Sequence, residues 1–190
     1  MRIIAGSFKG RTLAAPTWDG LRPTSDALRE TLFNVLGPAV PGAVVLDLCA
    51  GTGAIGLEAL SRGAERVTFI DFDPRAVRLI GTNAAHCGVE NRCAIIRGTA
   101  VGALADDVHG PFDIVVADPP YDAPWIAEAL DAAARHLAPE GVIVLEHAWR
   151  RAVPQAAALR TVRTRRAGDS ALTTYRLAID GGPDGEAGQP

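Results

Sequence analysis

The chain predicts an α/β fold: a doubly wound, mostly parallel seven-stranded sheet with helices on both faces, preceded by a small N-terminal β-hairpin and a helix. Three observations predict it. From residue 43 onward, short apolar runs alternate with helix-length segments. The runs, such as Val44-Val45-Leu46 and Ile114-Val115-Val116, lack an in/out alternation, as expected of strands covered on both faces. A glycine-rich turn follows the first of them, and an acid closes the second.

Taken in order, residues 1–15 read as a hairpin turning around Ser7 to Gly10. Thr24 or Ser25 then caps a helix whose apolar face is Leu28, Leu32, Val35 and Leu36, ended by Gly37-Pro38. Strand one is 43–48, with a helix to about Arg62, and strand two is 66–71. A helix from Pro74 to about Cys87 follows, with Asp73 as its N-cap. Strand three is 93–97, strand four 113–117, a helix spans about 125–137, and strand five is 141–146. Leu159–Arg166 and Thr173–Ile179 read as two last strands around Gly168-Asp169. Residues 1–40 read as an N-terminal extension, 41–180 as the main domain, and the Gly/Pro/acidic 181–190 as a disordered tail.

Composition excludes several classes. Three cysteines without C-x-x-C spacing argue against a disulfide framework, and four scattered histidines against a metal site. No apolar run reaches membrane-spanning length and no signal-peptide core is present, which predicts a cytoplasmic protein that does not engage a membrane. The net charge of −3 is unevenly spread. Arg2, Lys9, Arg11 and Arg22 stand near the N-terminus and seven arginines lie within 150–176, around an acidic centre. Two basic flanks suit a polyanion lying across the surface while one base enters a pocket. Arg29 and Glu30 are open between structural and RNA-facing roles.

Gly51-Thr52-Gly53-Ala54-Ile55-Gly56 is a G-x-G-x-x-G turn, with Asp47 just before it and Asp71 at the end of the next strand. Asp71 is placed to take ribose hydroxyls. Asp47 would repel a pyrophosphate, whereas a sulfonium cofactor tolerates it and its amino group needs acceptors. Ala50, Gly51, Thr52, Gly53 and Gly56 are the loop's cofactor candidates; Phe72 lies along an adenine or joins the core, and Thr99-Ala100 follows strand three as an adenine contact.

Strand four runs into Asp118-Pro119-Pro120-Tyr121. The prolines fix φ near −65° and lack N–H groups, so a stiff backbone presents carbonyls. Asp118 adds a carboxylate acceptor and Tyr121 an aromatic face, which together can hold the amino group of a nucleobase. Strands one and four are neighbours where the strand order reverses, so loop and tetrapeptide meet at one crevice.

The loop with its two acids resembles the cofactor motifs of the S-adenosylmethionine-dependent methyltransferases. More specifically, Arg2-Ile3-Ile4-Ala5-Gly6, Lys9-Gly10-Arg11, Arg22-Pro23-Thr24, Arg29-Glu30 and Leu32-Phe33-Asn34 resemble the N-terminal signature of the bacterial 16S ribosomal RNA guanine-N2 methyltransferases. Asp47 to Ala64, Asp118 to Tyr121 and Gly168 to Leu172 are similar to that family's remaining motifs. The resemblance implies a class I, Rossmann-like methyltransferase fold and S-adenosylmethionine as cofactor. It implies one methyl placed on N2 of guanine 966 in 16S ribosomal RNA, within a partly assembled small subunit. Asp118, Pro119, Pro120 and Tyr121 would be catalytic, and Arg2, Lys9, Arg11, Arg22 and Thr24 would contact RNA. Open beside it are an amino-methyltransferase of DNA adenine or another RNA, a non-catalytic cofactor-binding assembly factor, and a nicotinamide oxidoreductase.

Overall fold

A computed structural model describes residues 1–21, 24–106, 108 and 110–178. Five helices and seven strands alternate along it: α1 (Asp26–Leu36), β1 (Val44–Leu48), α2 (Ala54–Ser61), β2 (Arg66–Asp71), α3 (Pro74–Cys87), β3 (Cys93–Arg97), α4 (Ala100–Asp106), β4 (Phe112–Ala117), α5 (Ile126–Ala134), β5 (Leu137–Ala148), β6 (Leu159–Ala167) and β7 (Ser170–Leu177). One seven-stranded sheet has the order β3-β2-β1-β4-β5-β7-β6. The first five strands are parallel, and β7 joins antiparallel to both β5 and β6. This is the doubly wound, class I arrangement that the sequence predicts, and its order reverses between β1 and β4.

Neighbouring residues of one strand feed opposite cores, which is why the strands read as unbroken apolar runs. Val45, Ile114 and Val116 face a core shared with α1, α2 and α3, whereas Leu46, Val115 and Ala117 face one shared with α4 and α5. α2 is buried along its whole length. α3 begins at Asp73, whose side chain accepts from the Arg75 N–H at 2.8 Å, and ends at the left-handed Gly88. α1 begins at Ser25, which accepts from the Leu28 N–H.

The N-terminal hairpin is minimal: one antiparallel bridge, Arg2 with Thr12, flanked by Ile3 N–H to Arg11 O at 3.0 Å. Its Ile3 and Leu13 are buried in the same core as α1 and α2. Glu58 of α2 ties it down, accepting from the Ile4 and Ala5 N–H groups at 2.7 and 2.9 Å. Arg29 and Arg62 offset that buried charge, at 3.7 and 2.9 Å. Arg29 is fully buried and also donates to Arg2 O, so its role is structural; Glu30 is exposed.

Several elements differ from the sequence expectation. α4 occupies a stretch between strands three and four to which the sequence reading assigns no element; its run is short and contains Gly102. α5 ends at Ala134 instead of Leu137, and β5 begins at Leu137 instead of Gly141. Pro139 and Gly141 read as a break, but they sit in an irregularity where the β4–β5 register jumps from Phe112–Leu137 to Ile114–Val142. β7 begins at Ser170, three residues before the expected strand, completing the hairpin through Gly168. The tail at 181–190 lies outside the described residues. No helix among the described residues is long and apolar enough to cross a membrane.

Candidate active site

The carboxyl end of β1 turns sharply through three residues in the left-handed region, Cys49 (φ 68°), Gly51 (φ 55°) and Gly53 (φ 76°). Ile70 O of β2 gathers the Cys49 and Ala50 N–H groups, each at 3.0 Å. Asp71 then fastens the loop: one carboxylate oxygen accepts from Gly51 N–H at 2.8 Å and the other from Asp73 N–H at 2.9 Å. Each oxygen retains a second lone pair. Asp47 accepts from Gly56 N–H at 2.9 Å through one oxygen, while its other, buried, oxygen has no partner. Burial pushes the Asp47 carboxyl up to about 7; the Gly56 bond opposes this and the Asp71 charge adds to it.

Gly56 serves packing, since a Cβ there would lie 2.3 Å from the Phe69 ring. Thr52 is buried, with its carbonyl bound by Asn83 Nδ2 at 3.0 Å. Thr99 caps α4 through its hydroxyl, 3.1 Å from Gly102 N, and Ala100 is buried in the α4–α5 core. Phe72 is 71% exposed, so its core alternative is overturned: at the β2 end its ring meets solvent.

One strand over, β4 ends level with β1, Ala117 beside Leu48, and the Asp118 N–H reaches Leu48 O at 3.4 Å. Asp118 stands half-buried at that edge. Burial raises its pKa well above the usual carboxylate range; contact with Glu146 and the Asp47 charge add to the rise, and a hydrogen bond from Thr24 opposes it. Pro119 is buried and Pro120 exposed. The Tyr121 hydroxyl donates to Glu146 Oε1 at 2.8 Å and lies 2.7 Å from Ser170 Oγ, fixing a half-exposed ring. Arg151 holds the Tyr121 carbonyl at 2.8 Å. Cys49 lies among these acids; burial, then Asp71, Asp47 and Asp118, push its thiol far up, so it is no thiolate nucleophile.

A strap from the N-terminal segment crosses both strand ends. Asn83 clasps Ala14 through its N–H and its carbonyl. The Trp18 ring lies 5.0 Å from the Arg75 guanidinium. The Leu21 side chain packs over Gly51, and the Thr24 hydroxyl donates to Asp118 Oδ2. Thr24, expected to face RNA, therefore touches the Asp118 carboxylate. Arg2 and Lys9 are exposed and line a surface cleft of about 340 Å³. Arg11 is exposed but bound to His86 O at 2.9 Å and lies over Phe8. Arg22 lies outside the described residues.

Three acids thus converge on a crevice whose wall carries an unpartnered carboxylate oxygen. Such a site fits a cationic ligand and repels a pyrophosphate. Among the described residues, no group of three or more His, Cys, Asp or Glu is placed to hold a metal ion. Sequence reading missed Glu146, Ser170 and Asn83. Glu146 had a signal: it is a charge ending an apolar strand beside strand four.

Comparison with known proteins gives a consistent result. The family model described as "Conserved hypothetical protein 95" matches residues 1–176. A curated relative, "Ribosomal RNA small subunit methyltransferase D" of Escherichia coli K12, is 35% identical over 98% of this chain and 94% of its own length. "Putative rRNA methyltransferase YlbH" of Bacillus subtilis is 37% identical over 77% of this chain and 82% of its own. Among solved structures, a putative methyltransferase (yhhF) of Escherichia coli superposes with TM-score 0.82 at 36% identity, covering 93% of this chain and 97% of that one.

Proposed function

The chain belongs to the Conserved hypothetical protein 95 family, together with the small-subunit ribosomal RNA methyltransferases D, and on that premise we propose that it methylates N2 of a guanine in 16S ribosomal RNA, at position 966. The observation that carries the reading is the meeting of Asp118-Pro119-Pro120-Tyr121 with the Asp47–Asp71 loop at the reversal of strand order.

S-adenosylmethionine fits the acidic crevice. Asp71 would take its ribose hydroxyls, the free Asp47 oxygen its ammonium, the backbone at Ala50, Gly51 and Gly53 its methionine moiety, and Phe72 would flank its adenine. When bound, it supplies a methyl on a sulfonium, the C–S bond leaving its electron pair on sulfur as the N–C bond forms.

The chain's own groups hold the amine. A guanine flipped from its RNA stack lies against the Tyr121 ring. Its amino group donates one hydrogen bond to Asp118 and one to the Pro119 carbonyl. These acceptors favour a tetrahedral nitrogen and localise a lone pair otherwise delocalised into the ring, so they act mainly in the transition state. The alkylated nitrogen loses one proton, which passes by Asp118 to water. Arg2 and Lys9, with exposed arginines of β6 such as Arg163 and Arg165, suit phosphate contacts, and replacing Arg2 and Lys9 should reduce the salt dependence of RNA binding.

Mass mapping of ribosomal RNA from cells lacking this protein tests the reading. Loss of a single N2-methylguanine, restored by the wild-type chain and not by Asp118→Ala, is expected. An unchanged methylation map would overturn it.

A further inference from the structure

The amine-holding site contains a carboxylate that the reaction as described does not use. β4 and β5 run parallel with Ala117 beside Leu145, so Asp118 and Glu146 leave adjacent strands at one level. Glu146 is only 5% exposed and is held by the Tyr121 hydroxyl, itself in contact with Ser170. Side chains at one level of adjacent parallel strands stand on the same face, so the two carboxyls are neighbours, and contact with Glu146 is among the causes that raise the Asp118 carboxyl. Ionised carboxylates are acceptors only, so two of them make such a contact only with a proton between them.

We propose that Asp118 and Glu146 share one proton, and that Glu146 is a positioning residue that takes this proton as the base enters, leaving Asp118 ionised to accept the amine. The pair holds one proton before and after this transfer; it moves from one carboxyl to the other, and none is exchanged with water. The functional half rests on the amine-methylation reading, whereas the shared proton is a property of the free protein. Among the described residues, the groups facing Asp118 are Glu146 on β5, Asp47 on β1, the Cys49 thiol after it, and the Thr24 hydroxyl of the strap. The Tyr121 hydroxyl faces Glu146 and is itself in contact with Ser170, and Arg151 binds the Tyr121 carbonyl. The neighbouring His147 is turned to Thr173 and Ala148 O.

Glu146→Gln tests this, because glutamine still accepts from the Tyr121 hydroxyl. Carboxyl-carbon NMR of the full-length, free protein between pH 5 and 9 should show one shared proton held above the ordinary carboxylate range. Glu146→Gln should lower the Asp118 transition by about one pH unit or more. Asp47→Asn identifies the third acid and should leave that coupling in place. An Asp118 transition unmoved by Glu146→Gln, or both carboxyls ionised at pH 5, overturns the pair. For the role in turnover, the wild-type pair keeps its proton on Glu146, whereas in Glu146→Gln Asp118 must lose its proton to water; the acid limb of kcat should therefore move up to the variant's Asp118 transition, with KM for RNA unchanged. A limb that stays in place, on whichever base accepts the methyl, overturns the positioning role. A coupled pair in a protein that methylates no guanine would instead fault the substrate reading.

Discussion

Two acidic sites face each other across the crevice and are held by different means. Asp47 and Asp71 are fastened by backbone N–H groups of Gly51, Gly56 and Asp73. Asp118 and Glu146 are fastened by side chains from two other places, Thr24 of the strap on Asp118 and Tyr121 of the motif on Glu146, with Ser170 of β7 holding the Tyr121 hydroxyl in turn. A backbone cradle keeps its geometry whatever the ligand, which suits a cofactor of constant shape. A side-chain cluster can exchange protons and partners, which suits a substrate that enters, reacts and leaves.

The largest expected effect breaks the side-chain half. Asp118→Ala removes the acceptor that works in the transition state, and methyl transfer should fall by on the order of 100- to 1,000-fold. Cofactor affinity, set by the other half, should stay within a few-fold by calorimetric titration. Asp118→Asn keeps an acceptor oxygen and should retain more activity than the alanine variant. Equal activities of the two variants would sink the acceptor role.

The backbone half breaks through packing. A Cβ at Gly56 would meet the Phe69 ring at 2.3 Å and Val67 at 2.8 Å, both buried. Gly56→Ala should therefore cost about 1–3 kcal/mol of stability by urea unfolding. By displacing the N–H that binds Asp47, it should also weaken cofactor binding. Loss of affinity without loss of stability would make Gly56 a ligand contact and not a packing residue.

The two halves were unequally legible in the sequence, for the same physical reason. The loop, Asp71 and D-P-P-Y lie in short contiguous runs whose residue types state their backbone needs. Glu146, Ser170 and Thr24 act through partners far along the chain, which only the order β4-β5-β7 and the path of the strap bring together. β5 was half-hidden because Pro139 and Gly141 mimic a turn where the strand only bulges. Thr99 combines the two kinds of signal: its motif position suggests adenine, and its hydroxyl also accepts a local capping bond from the Gly102 N–H.

A third test uses pH. Asp47 is raised to about 7 in the fold from an ordinary value of 3.8, so the folded state binds the proton more tightly than the unfolded chain does. Its contribution is therefore most favourable below about pH 4, is lost as pH rises towards 7, and is flat above. Asp118, raised by burial, acts in the same direction. Urea midpoints should show Asp47→Asn losing part of the wild-type decline between pH 4 and 7. S-adenosylmethionine affinity should rise over the same window, as the free carboxylate oxygen gains the charge that an ammonium needs. Identical slopes for variant and wild type would remove Asp47 from the account.

The smallest effect probes the contact between the strap and the side-chain half. Thr24→Val is nearly isosteric and deletes only the hydroxyl that donates to Asp118 Oδ2. One hydrogen bond to a partly buried carboxyl is worth roughly 0.5–1.5 kcal/mol, so stability should drop by about that amount. Because that bond favours the charged carboxylate, its loss should move the Asp118 transition further up. On the proposed reading the guanine amine donates to Asp118 as the Thr24 hydroxyl does, and the ionised carboxylate has lone pairs for each. If they bind side by side, Thr24→Val should lower kcat below neutral pH and leave it unchanged above. If they compete for one oxygen, the variant should instead bind RNA more tightly at every pH. The pH profile of the variant therefore decides whether the strap supports the amine site or guards it.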